Sequence, residues 1–177
     1  MAETVLISVF CPDRTGLVAA ITGELFSLGA NLGDTAFAVL GSGAEFNSVC
    51  ELPDGVTGQE TLEELQRLPD LKDAEISVAP FDLDPVSGPL GEVTHRIVVQ
   101  GGDQPGLTAR ICETLIQFNA NIVRMNSRKI PGPNTTQYRI SFHVGIPQAR
   151  QDSCLATIAN TAGELGLSFD TMSWENR

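Results

Sequence analysis

Positive charge is scarce in this chain. Lys and Arg number 11 against 22 Asp and Glu in 177 residues, a formal net charge of −11. Neutralising a phosphate backbone needs clustered cations, so direct nucleic-acid binding is not expected. Long apolar runs are missing too: residues 5–11 fall far short of the roughly 20 residues that cross a bilayer, and Met1-Ala2-Glu3 lacks a basic start. The expectation is a cytoplasmic protein with no export or membrane segment. Histidine occurs twice, as His95 and His143, without metal-ligand spacing. Cys11, Cys50, Cys112 and Cys154 are scattered with no C-x-x-C pair, which excludes a zinc knuckle or a redox dithiol. They read as reduced thiols, Cys112 and Cys154 on apolar helix faces. Cys11 stands just before a helix start that would lower its pKa. No Ser/His/Asp or P-loop arrangement is present. Catalytic residues, metal ligands and a cofactor are therefore not expected.

What is present is a repeat. Shifting the chain by about 90 residues aligns Ile7 with Ile97, Val9 with Val99, Asp13 with Asp103, Gly16 with Gly106 and Leu17 with Leu107. Further on it aligns Ala19 with Ala109, Ile21 with Ile111, Leu25 with Leu115, Ala30 with Ala120 and Asn31 with Asn121. Each copy reads alike. Residues 5–10 and 96–99 are β-branched, apolar runs that suit a buried strand. In residues 17–28 and 107–118 apolar side chains recur three or four apart, on one helical stripe. Two strands around a turn follow, 31–40 with 45–52 and 121–130 with 137–146, the turns being Gly41-Ser42-Gly43 and Pro131-Gly132-Pro133-Asn134. A second helix (58–68, 149–165) and a closing strand (74–81, 167–174) complete each copy.

The order βαββαβ, twice, predicts an α+β fold: two tandem ferredoxin-like modules, each an antiparallel sheet with both helices on one face. The first and third strands should lie inside and the second and fourth at the edges, where unpaired backbone invites pairing. Module 1 is placed at residues 1–81, a Pro/Gly/acidic linker at 82–92 and module 2 at 93–177.

The informative segments are the strand-to-helix corners, Cys11-Pro12-Asp13-Arg14-Thr15-Gly16-Leu17 and Gly101-Gly102-Asp103-Gln104-Pro105-Gly106-Leu107. A helix start with free N–H groups attracts carboxylates. Asp13 and Asp103 read either as N-caps, with Pro105 in the first turn, or as ligand contacts. Gly16 and Gly106 read as steric room in a tight corner. Asn31 and Asn121 follow the helix ends. Gly29 aligns with Asn119, which suggests that the left-handed cap is already filled there and leaves the two later asparagines to a ligand or a structural hydrogen bond.

D-R-T-G-L followed by G-A-N-L, and D-Q-P-G-L followed by N-A-N-I, resemble the D-x-P-G and G-x-N-I marks of the ACT domain family. The likeness covers both modules, and Thr15 departs from it where proline is usual. The arrangement is most similar to the stand-alone tandem ACT proteins of the glycine cleavage regulator type. The resemblance implies a regulatory protein that binds an amino acid or similar effector where the strand-to-helix loop of one domain meets the helix-to-strand segment of a neighbour. It marks Asp13, Arg14, Gly16 and Asn31, with Asp103, Gln104, Gly106 and Asn121, as site residues. A homo-oligomer through sheet edges or helices is expected, together with a protein partner, a transcription factor or a metabolic enzyme. The alternative is an assembly subunit that pairs with an enzyme through sheet edges and binds no ligand. Arg124, Arg128, Lys129 and Arg139 gather on the second hairpin, a solvated surface or, with Asp34 aligned to Arg124, a pairing element.

Overall fold

The computed structural model describes residues 3–85, 88, 91–131 and 136–174. It divides into two compact units, Met1–Val86 and Ser87–Arg177.

In the first unit the elements run β1 (Glu3–Pro12), α1 (Leu17–Ser27), β2 (Asn31–Leu40), β3 (Gly43–Leu52), α2 (Gly58–Arg67) and β4 (Glu75–Pro80). They form one antiparallel sheet of order β2-β3-β1-β4. The second unit repeats this with β5 (His95–Gly102), α3 (Leu107–Gln117), β6 (Asn121–Ile130), β7 (Gln137–Gly145), α4 (Gln151–Glu164) and β8 (Ser168–Ser173), in the order β6-β7-β5-β8. The expected topology is therefore present twice, with β2, β4, β6 and β8 at the edges. The turn expected at residues 131–134 lies, beyond Pro131, outside the described residues, as do parts of the linker.

Alternation decides which face of each sheet is covered. Val5, Ile7, Val9 and Cys11 of β1, with Phe46 and Cys50 of β3, point to the helices and are buried against Leu17, Ile21 and Leu25 of α1 and Leu65 of α2. Ile97, Val99, Ile140, Phe142 and Val144 meet Ile111, Leu115, Cys154 and Ile158 in the same way. Fully burying one such side chain contributes about 1.5–3 kcal/mol, so these stripes hold each unit together. Among the described residues, no helix of the same unit packs on the opposite face of either sheet.

Turn chemistry closes the elements. Gly41, at φ 64, leads a two-residue β2–β3 turn, where positive φ matches the strand twist. At the end of α1, Gly29 (φ 77) donates to Phe26 O at 2.9 Å and Ala30 to Leu25 O at 2.9 Å. At the end of α3, Asn119 (φ 54) donates to Ile116 O and Ala120 to Leu115 O. Both are Schellman closures, and the left-handed position falls where the Gly29/Asn119 alignment places it.

Candidate functional site

At the end of β1 the Asp13 N–H donates to Ser42 O at 2.9 Å, and the chain then swings into α1. The swing is made at Gly16, which is the N-cap with φ 91; Gly106 caps α3 with φ 81. Neither cap makes a side-chain hydrogen bond. This corrects the N-cap reading of Asp13 and Asp103, which lie three residues upstream, and Pro105 precedes the cap rather than occupying the first turn. A capping oxygen works from extended backbone, as at Thr57 (φ −105, ψ 157), whose Oγ1 accepts from Glu60 N at 3.2 Å. The β1–α1 corner instead requires a left-handed residue, so glycine takes the cap and Asp is displaced. Crowding is not its reason, since a Cβ at Gly16 or Gly106 would meet nothing within 4 Å.

An uncapped start leaves the first-turn N–H groups pointing out of the helix end. In the first unit they open on a cleft of about 280 Å³ lined by Asp13, Arg14, Gly16, Val18, Ala19 and Phe37, among others. Three of the expected site residues thus share one cleft, with a carboxylate, a guanidinium and backbone donors together. Cys11 does not belong to this chemistry: it is buried on β1, and burial raises its pKa against the opposing pull of Arg14. That reverses the expectation of a lowered thiol.

The second unit closes the same corner. Lys129 Nζ sits 2.7 Å from Asp103 Oδ2, and this hydrogen bond and the carboxylate charge raise the lysine pKa. Gln104 Nε2 donates to Leu165 O at 3.3 Å. Both side chains therefore have protein partners, whereas position 39 in the first unit, equivalent to Lys129, is Val39.

Asn31 and Asn121 begin β2 and β6, opposite Glu51 and Gly145. The corners sit at the other end of the sheet, beside Gly43 and Gln137, roughly 27 Å away at the rise of an extended strand. No single module brings the corner and asparagine residues together. Asn121 lines a separate cleft of about 520 Å³ with Glu92, Thr94, Asn119, Gln148 and Gln151. Phe37 and Val18 were not legible as site residues; Phe37 alternates like a core position, but its edge strand leaves it 43% exposed. Among the described residues no group of His, Cys, Asp and Glu could hold a metal ion, and no helix is long and apolar enough to cross a membrane.

No protein-family model matches the sequence, and no curated protein aligns with it significantly. Solved structures do. A protein of unknown function from Galdieria sulphuraria superposes with a TM-score of 0.76 at 21% identity, over 99% of this chain and 100% of that one. A provisionally assigned glycine cleavage system transcriptional repressor superposes with a TM-score of 0.62 at 13% identity, over 99% of both chains. At these identities the likeness concerns the fold, and it spans both units. The chain thus has a tandem ferredoxin-like fold, two βαββαβ modules in succession, shared along its whole length with these two structures.

Proposed function

We propose that this chain is a non-catalytic regulatory protein that binds an amino acid at the β1–α1 corner of its first module and signals to a protein partner. The observation that carries this reading is the coincidence of Asp13, Arg14 and an uncapped helix start around one open cleft. A free amino acid is a zwitterion. Its carboxylate suits the first-turn N–H groups and Arg14, and its ammonium suits Asp13. Because Asn31 lies at the far end of the sheet, a ligand that also used an asparagine would bridge two modules. Its binding would then favour one arrangement of modules over another, which is how an effector changes a partner surface. The fold shared with a provisionally assigned glycine cleavage system repressor makes glycine and serine the first effectors to test and amino-acid metabolism the field of control.

Isothermal titration of the intact chain with the common amino acids tests this. Saturable heat with one of them is expected, and Arg14→Gln, which installs the second module's residue, should weaken it about tenfold, the loss of one charged hydrogen bond. Absence of heat and of any thermal shift for folded protein favours the rival reading, an assembly subunit pairing through sheet edges. That rival draws on the exposed apolar side chains of the β2 edge, Phe37, Val39 and Leu40.

A further inference from the structure

The helix-free sheet faces of the two units carry opposite net charge, arginines outnumbering the single acid, Asp170 of β8 opposite Val98, on the second. On the second, Arg96 of β5, His143 of β7 and Arg124 of β6 stand in one cross-strand row, and Arg139 stands directly across from Arg128 in another. Like charges in such pairs are unfavourable. Among the described residues none of these four arginines is in an ion pair; Arg96 donates only to Ser141 Oγ, at 3.3 Å. Their field is felt locally, since Arg124 and Arg96 add to burial in lowering the pKa of His143. Met172, 62% exposed, and Trp174, packed on His143 with ring centroids 5.2 Å apart, supply apolar surface.

The equivalent face of the first unit is the complement. Phe10, 47% exposed, stands between Glu45 of β3 and Glu75 of β4, at positions matched in the second sheet by Gln100, Arg139 and Ser168. Glu51 lies further along the same face, and a shallow depression of about 360 Å³ runs between Glu45, Asn47, Glu75 and Ser77. The division extends to whole units: residues 1–86 hold 15 Asp and Glu against 3 Lys and Arg, and residues 87–177 hold 7 against 8.

We propose that two copies of this chain associate face to face, the glutamate-bearing sheet of the first module in one copy packing on the arginine-bearing sheet of the second module in the other. Charge selects this pairing. Two first-module faces repel, two second-module faces repel, and only the mixed contact pairs glutamates with arginines while covering Phe10, Met172 and Trp174. Size agrees: four strands about 4.8 Å apart and about 25 Å long give roughly 500 Å² per face, so a pair making this contact twice buries about 2,000 Å², the scale of a stable interface. This surface is distinct from the sheet edges and from the Asp13 cleft.

Sedimentation of the full chain tests the proposal. Wild-type protein should be dimeric at low salt, and its dissociation constant should rise at least about tenfold between about 50 and about 500 mM NaCl, as charge-selected association requires. Arg124→Glu/Arg139→Glu and Glu45→Arg/Glu75→Arg should each be monomeric with unchanged circular dichroism, and an equimolar mixture should dimerise again, because each then offers what the other lost. A wild-type chain that stays monomeric at about 100 µM overturns the proposal. So does a dimer indifferent to both variants, which would place the contact on the edges, and so do folded variants that remain apart when mixed. Should a charge-reversed chain not fold, the neutral pair Arg139→Gln and Glu45→Gln takes its place, each expected to weaken dimerisation several-fold, with no change counting against the contact.

Discussion

Backbone angle, not space, holds glycine at positions 16 and 106, and this is testable with two substitutions. A left-handed non-glycine residue costs about 1–2 kcal/mol, while asparagine bears it better than alanine. With nothing within 4 Å of a Cβ at Gly16, Gly16→Asn should lower the urea midpoint less than Gly16→Ala; the reverse order would mean crowding. Lys129→Ala should leave the midpoint unchanged within error, since Lys129 is 67% and Asp103 36% exposed and solvent screens the pair, and, on the proposed function, should open the second corner to the effector seen by titration calorimetry. The histidines give a pH prediction with a definite sign. Burial lowers the pKa of His95, and burial with Arg124 and Arg96 lowers that of His143, both from 6.5. As pH falls, the unfolded chain takes up these protons first. Stability of the second unit is therefore complete above about 6.5 and declines as pH drops from there through the lower folded values. A urea midpoint that rose over that interval would contradict it, and Arg124→Ala should move the NMR titration of His143 upward.

At the scale of elements, position in the sheet sets stability. β1 and β3, like β5 and β7, are paired on both sides, whereas β2, β4, β6 and β8 are paired on one. Amide hydrogen exchange should be slowest in the inner strands and faster by at least about tenfold along the outer ones, most of all at the β2 irregularity between Leu32 and Thr35. Uniform protection across the sheet would mean that the edges are covered. The elements themselves were legible, because alternation and helical periodicity are local. Helix α1 runs where Leu17, Ile21 and Leu25 put it, and the shift of one or two residues at strand ends reflects pairing that the flanking side chains do not encode. The start of α2 is fixed in the structure by Thr57, whose Oγ1 accepts from Glu60 N.

For the whole molecule, the unequal charge of the units is the consequential feature. Residues 1–86 and 87–177, expressed separately, should each unfold in one cooperative urea transition, because each has its own buried cluster. The first fragment should lose stability at low salt through self-repulsion while the second should not. Loss of cooperativity in either fragment would show that its core depends on the other. Equimolar mixing of the fragments should give a salt-sensitive complex if the opposed sheet faces attract as proposed.

From sequence alone came the duplication, the order of strands and helices, the left-handed positions at Gly29 and Asn119 and the corner as the segment of interest. All of these depend on neighbours close in the chain or on self-similarity. Tertiary structure decided the rest. Whether Asp13 caps a helix depends on the path between β1 and α1, and whether Asp103 is available depends on Lys129, which is distant in sequence and reaches it across the fold. That Arg96, Arg124, Arg128 and Arg139 share one face depends on strand register. A strand displays every second residue to each side, so charges scattered over 44 positions become a single surface only once β5, β6 and β7 are laid side by side.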